Sequence, residues 1–499
     1  MRAALVALAA CGATAPPPAG PAIERHDTRQ APAAIDDAHV DPDTLDDAAC
    51  RAALDRLGDR APAAAIALRA ARLAHHRGDD AEARAMVARA ASAADAPAAH
   101  AALAALAAEL AAPPVDPAVV AVLLPLSGKY AAIGGELRAA IALAPGDGTR
   151  WLFLDTRGEP DGAAAAVELA RARGAIAILG PVGTREALAA ARAASLRQIP
   201  IALLAPADGA DPDAGVFRLV DSPGDEGRAV ARVAASDGFP TVAVLAPRDD
   251  VGSEAADAFA AEAARLGLQV TARGTYDPTG GTLEPDVKDF LDLVPARNPR
   301  LAEHLARHPK KGWQTFEPDV AFSLLYIPDR GDRAALVAAY LPYFNVELRT
   351  TDFPDPAMLA RKHGGRMPQV VQLIGGPGWH EPDFAIRGGT PVQGALIVDP
   401  CAPETGGDVA GQLAADYQAR TGRLPSPPAA EAYDAALLVQ RARAAAAGSP
   451  DPRGAMRLAL AHARLDDGAC GPATIDPAGE LAHEPSVLQV SGDELIVAP

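Results

Sequence analysis

The apolar positions change rhythm along the chain. Between residues 41 and 110 they recur at three-to-four spacing, through Leu45, Ala49, Ala52, Leu54 and Leu57 and then Ile66, Leu68, Ala71, Leu73 and Ala74. That period predicts a helical module, and Pro113, Pro114 and Pro117 end it. From Val119 to Leu126 the sequence is VVAVLLPL, with Pro117 before it and Gly128 after it. A continuous apolar run of this length predicts a strand buried on both faces of a parallel sheet. Further runs at 150–155, 175–181, 199–206, 240–247, 268–272, 319–328 and 369–375 alternate with helical periods. The alternation predicts right-handed βαβ units and a doubly wound α/β architecture. About 380 residues of it exceed one comfortable core, so two lobes are expected. Residues Glu284 to Phe316, with Lys310, Lys311 and Trp313, interrupt the second lobe. They read as a long loop with a short helix, or as a surface excursion that touches a partner.

The N-terminus has its own pattern. Residues 1–12 read MRAALVALAACG, one base followed by an apolar run from Ala3 to Ala10. A permanent membrane helix needs about 20 apolar residues, so residues 1–10 are expected to be a removable signal peptide. Leu8-Ala9-Ala10-Cys11 resembles the lipobox of bacterial lipoproteins, which implies lipidation at Cys11 and a membrane lipid anchor. Gly12 lacks the aspartate that favours inner-membrane retention in such lipoproteins, so the outer membrane is expected. Residues 11–40, rich in Pro, Ala and Asp, read as a flexible tether reaching on the order of 30 Å. Within the helical module at 41–113, the stretch LAHHRGDDAEARAMVARAAS at 73–92 resembles one tetratricopeptide-type turn. Gly78 would separate its two helices, and Ala81 and Ala85 would allow close approach. His75 and His76 close a helix, where an imidazolium complements the dipole, and no ligand spacing around them makes a metal site.

Composition narrows the function. Hydrophobic residues make up 49 % and aromatics 4 %, with alanine about a quarter of the chain, and mean hydropathy is +0.04. This is a soluble globular composition. Sixty-four acids against 46 bases give a net charge of −18, so there is no basic footprint for nucleic acid. No GxSxG elbow or CxxC occurs, and a P-loop fails because Leu123 stands five before Gly128. Asp249 and Asp250 read as turn residues, not an acid/base pair. A non-catalytic protein without cofactor or metal is expected.

Several segments carry a family resemblance. In order, VVAVLLPLSGKYAAIGGELRAAI at 119–141, AIAILGPVGTREALAAA at 175–191, IPIALLAP at 199–206, VFRLVDSPGDEGRAVARVAASDGFPTVAVLAPRDDVGSEAADAFAAEAARLG at 216–267, VQLIGGPGW at 371–379 and PSPPAAEAYDAALLV at 425–439 follow the landmarks of type I periplasmic-binding proteins. These include the leucine/isoleucine/valine-type receptors. The lipobox and helical module ahead of them resemble the penicillin-binding-protein activator lipoproteins.

The resemblance implies a two-lobed fold whose chain crosses between lobes near Phe217–Asp221, Asp399–Ala402 and Gly468–Thr474. The first lobe would span 114–219 plus 402–467, the second 220–401 plus 468–499. Ligand-binding candidates are Ser127, Gly128 and Tyr130, Gly183 and Thr184, Pro206 and Ala207, Asp250, and Trp379. Helix-start N–H groups in these loops suit an anion. Gly128 and Gly183 equally serve tight βα turns, and Trp379 and Tyr130 either stack a ligand or pack a lobe. The family's aromatic before glycine is Val251 here, and 375–379 holds no acid for an α-ammonium, which counts against a leucine-type ligand. The crossings would set Cys401 beside Cys470, a candidate disulfide, leaving Cys50 as a buried small apolar residue. Two functions follow: a regulatory lipoprotein acting on a peptidoglycan synthase, favoured by the module and tether, or a receptor that delivers a small polar ligand to an ABC permease.

Overall fold

The computed structural model describes residues 41–77, 79–111, 114–350, 355–381, 383–403 and 407–498. The expected signal peptide, Cys11 and the tether lie outside the described residues. The chain divides into two units, at Ala111 and Ala112.

The first unit holds helices α1 (Asp47–Leu57), α2 (Ala63–His76), α3 (Asp80–Ser92) and α4 (Ala96–Leu110). The carboxylates of Asp46 and Asp79 cap α1 and α3, accepting from Ala49 N at 2.8 Å and Glu82 N at 3.0 Å. Leu54, Ile66, Ala71, Leu103 and Leu106 form the core, with Cys50 a free thiol that burial pushes up in pKa. Ala81 and Ala85, expected at the close approach, are exposed. The inward stripe of α3 is instead Ala83, Met86, Val87 and Ala90, the i, i+3, i+4, i+7 set that starts two residues later. The tetratricopeptide likeness rests on sequence alone, and Gly78 lies outside the described residues.

The second unit opens with β1 (Asp116–Leu124), α5 (Ala131–Ile141), β2 (Arg150–Asp155), α6 (Pro160–Ala172), β3 (Ala175–Leu179), α7 (Thr184–Leu196), β4 (Ile201–Leu203) and β5 (Val216–Arg218). Their parallel sheet has the order β2-β1-β3-β4-β5. The chain then builds the other lobe: α8 (Pro223–Ser236), β6 (Thr241–Pro247), α9 (Asp250–Arg265), β7 (Gln269–Tyr276), α10 (Glu284–Phe290), α11 (Pro299–Arg307), α12 (Gly312–Thr315), β8 (Leu324–Tyr326), α13 (Gly331–Tyr343), β9 (Glu347–Leu348), α14 (Pro356–Lys362), β10 (Val370–Gly375), α15 (Phe384–Gly388) and β11 (Leu396–Asp399). It returns through α16 (Asp408–Thr421), α17 (Pro427–Ala445) and α18 (Pro452–Leu460), then β12 (Arg464–Leu465), β13 (Ala473–Ile475), β14 (Leu481–His483), β15 (Ser486–Ser491) and β16 (Glu494–Val497).

Both faces of the first sheet are covered, which is why β1 is apolar without alternation. On one face α6 and α7 present Ala163, Ala166, Ala170, Ala187, Ala190 and Ala194; on the other lie α5, α16, α17 and α18. The second sheet runs β16-β15-β11-β10-β8-β6-β7, and is not wholly parallel: β15 pairs antiparallel with β11, Asp399 opposite Ser486. Leu283, Val287, Leu291, Leu293, Leu301 and Phe316 enter this lobe's core, so the 284–316 excursion is part of the lobe, built as three short helices.

Two crossings lie after β5 and after β11, as expected. The third is displaced. Residues 464–483 form a small antiparallel sheet whose Ala469, Ala473 and Ile475 enter the first lobe's core, and the chain reaches the second sheet only at Ser486.

Candidate functional site

The loops expected to bind ligand are positioned at the C-terminal ends of β1 and β3, and in the first of them the donors of Leu126 and Ser127 are already engaged. Asp155, ending β2, accepts from Leu126 N at 2.9 Å, Ser127 N at 3.2 Å and Ser127 Oγ at 2.6 Å. Gly128 is in a left-handed turn, φ +81°, and Tyr130 is half-exposed with its ring against Gly158. At the start of α7, Glu186 folds back over Gly183: a Cβ on Gly183 would stand 2.4 Å from Glu186 Oε2. Thr156 Oγ1 donates to Glu186 Oε1 at 2.5 Å, and both side chains are buried. Each of the two loops thus has a carboxylate of its own chain beside it, though neither α5 nor α7 carries a side-chain cap.

Ala207 is buried, while Asp250 is exposed on the first turn of α9. Trp379 is fully buried, packed on Phe384 with ring centroids 5.1 Å apart and lying across Gly375. It is a lobe-packing residue and offers no face to a ligand.

Between the lobes, beside the crossings, is a cavity of about 520 Å³. The first lobe lines it with Ile133, Leu137, Val182, Leu204, Pro206, Pro427 and Pro428, and the second with Pro377, Gly378 and His380. Of the nine candidates only Pro206 is on this wall. Four carboxylates also line it: Asp221 and Asp399 on the first and second crossings, Glu226 on the first turn of α8 and Glu431 on α17.

The four are unlike in their surroundings. Asp399 is bonded to His380 Nδ1 at 2.6 Å and accepts from Cys401 N at 2.8 Å; Asp221 lies 3.1 Å from His483 Nε2. Burial acts against a charge on His483, but Asp221 and the other carboxylates outweigh it and raise its pKa. The carboxylates of Glu226 and Glu431 have no hydrogen bond or ion pair among the described residues. Burial, followed by repulsion from Asp221, Asp399 and neighbouring acids, pushes both up to about 8. On a second, small cavity next to Glu431, Asp434 accepts from Ala469 N at 2.7 Å and Cys470 N at 2.8 Å.

Two links tie the first and second crossings to the small sheet at 464–483. Cys401 and Cys470 are joined as a disulfide, their Cα atoms 4.5 Å apart. The buried guanidinium of Arg218 donates to Asp225 at 2.7 Å, to Glu480 at 2.7 Å and to Val220 O at 2.9 Å. It thereby joins β5, α8 and the β13–β14 turn.

Sequence reasoning missed Glu226 and Glu431. Their signal was position: each is in the early turns of a proline-started helix next to a crossing segment.

Comparison with known proteins places this geometry. The profile described as periplasmic binding protein matches residues 117–301 and 350–494. A putative branched-chain amino acid ABC transporter structure from Rhodospirillum rubrum is similar at 21 % identity and TM-score 0.58, covering 76 % of this chain and 99 % of its own. An extracellular ligand-binding receptor from Rhodopseudomonas palustris HaA2 is similar at 17 % identity and TM-score 0.52, over 76 % and 99 %. A solute binding protein of an ABC transporter from Rhodopseudomonas palustris BisB5, in complex with 3,4-dihydroxy benzoic acid, is similar at 18 % identity and TM-score 0.50, over 76 % and 95 %. At these identities the likeness shows the fold. A search of curated proteins finds no match. The likeness to penicillin-binding-protein activators finds no support in these comparisons.

Proposed function

The chain belongs to the periplasmic binding protein family, and from that premise we propose that residues 114–498 are the solute receptor of an ABC transporter. The two lobes close on a small ligand and deliver it to a permease. The observation that carries this reading is the cavity of about 520 Å³ beside the crossings, walled from both lobes. Its volume and mixed apolar and charged lining are those of a small-molecule site. Structures of similar fold described as ABC transporter and solute-binding proteins support the same reading. The protein works by binding and not by catalysis, in the periplasm, held to a membrane by lipid on Cys11 through the 11–40 tether. The helical unit before the receptor favours a second reading, a regulator of a peptidoglycan synthase.

Thermal denaturation of the protein against a panel of amino acids, amines, aromatic acids and muropeptide fragments tests the proposal. A ligand at one hundred times its Kd adds about 2.7 kcal/mol to stability, and small-angle scattering should show compaction. If no solute shifts the transition and a synthase co-purifies, the regulator reading replaces it.

A further inference from the structure

We infer that the cleft takes an organic cation with N–H donors, a primary ammonium or a guanidinium on an aliphatic skeleton, held between Glu226 and Glu431. The inference rests on the receptor reading and names its substrate class.

Three observations lead there. The first concerns what the cleft withholds. Asp155 and Glu186 stand in or beside the loops that would receive an anion, and no lysine or arginine lines the cavity among the described residues. A carboxylate ligand would meet four acids and one histidine.

The second concerns what it offers. Two of the four carboxylates have a histidine, and two have no partner among the described residues. Acids gathered in a half-buried cavity work against folding unless a counter-charge arrives.

The third is independent of the acids. Tyr326 is fully buried and its hydroxyl has no hydrogen-bond partner. It converges with Glu226 on one place: a Cβ on Gly376 would stand 3.4 Å from Glu226 Oε2 and 3.9 Å from Tyr326 Oη. That place adjoins Pro377 and Gly378 on the cavity wall. A buried polar group without a partner is costly, and a ligand with several N–H groups serves a carboxylate and a hydroxyl together.

The lining selects among cations. No phenylalanine, tyrosine or tryptophan is on the wall, so there is no aromatic cage for a quaternary ammonium. Carboxylates reward N–H donors, and the prolines and leucines suit methylene chains. A cavity of about 520 Å³ is far larger than a bare metal ion.

The test is titration calorimetry of the full chain at pH 8 with 1,4-diaminobutane, 1,5-diaminopentane, agmatine, choline, 1,4-butanediol, leucine and benzoate. At least one of the first three should bind, and choline and butanediol should not. Glu226→Gln and Glu431→Gln should each weaken that binding tenfold or more while circular dichroism stays unchanged. Binding of leucine or benzoate that survives both substitutions overturns the cation and leaves the receptor standing. Silence of the whole panel, with no compaction by scattering, overturns both.

Discussion

Replacing Glu431 by glutamine should stabilise the ligand-free protein, increasingly as the pH rises from about 4.5 to 8. Burial, with Asp399, Asp221, Glu226 and Asp434 around it, raises the Glu431 carboxyl from 4.5 to about 8. The folded protein therefore holds this proton more tightly than the unfolded chain, and stability falls as pH rises from about 4.5 through 8. At 1.36 kcal/mol per pKa unit the full cost approaches about 5 kcal/mol, or roughly 3–4 after allowing for partial exposure to the cavity and incomplete ionisation at pH 8.5. Glutamine has the shape of the protonated acid and cannot ionise. At pH 5 variant and parent should therefore melt together. At pH 8.5 the variant should melt higher by roughly 4–5 °C, taking about 2.1 cal/mol/K of unfolding entropy per residue over the second unit. The assay is calorimetric Tm against pH for both proteins. Parallel curves from pH 5 to 8.5 would refute the reasoning, since they would mean that Glu431 titrates alike folded and unfolded.

Other consequences follow from the same geometry. Affinity for a cation such as 1,4-diaminobutane should rise between pH 6 and 8, by up to about tenfold per pH unit for each proton displaced from Glu226 or Glu431, as calorimetry would read. Replacing Cys401 and Cys470 by alanine opens a loop of 69 positions and should cost about 4 kcal/mol in denaturant unfolding, on the chain-entropy account. Arg218→Met leaves Glu480 without its cation and Asp225 with Arg228 alone, and should cost about 3 kcal/mol, seen as a lower urea midpoint. Asp155→Ala frees three donors at the β1–α5 turn and should cost about 1 kcal/mol by the same measurement.

The sheets were legible because parallel strands covered on both faces leave an unmistakable apolar run. β1, β2, β3, β6 and β10 fall inside or next to the runs that predict them. Where proline intervenes the strand shortens: Pro200 and Pro206 bracket β4, which is three residues long. The site was less legible, for a physical reason. Loops at strand ends announce free donors, but whether those donors are free depends on partners far along the chain, as with Asp155, 28 and 29 positions from Ser127 and Leu126. Trp379 shows the same limit, since its burial is decided by Phe384 and Gly375 together with the rest of the second lobe's core. Glu226 and Glu431, 205 positions apart, acquire a common meaning only when two crossings bring α8 and α17 to one cavity.

The bond between Cys401 and Cys470 encloses a length of chain as well as joining two points. Inside the ring are α16, α17 and α18, which make up much of one helical layer of the first lobe. A protease that cuts once anywhere within 402–469 therefore releases nothing: both fragments stay covalently attached at the base of the lobes. In an oxidising compartment populated by proteases, a nicked molecule would run as a single chain until reduced, and would keep Glu431 in register with Glu226.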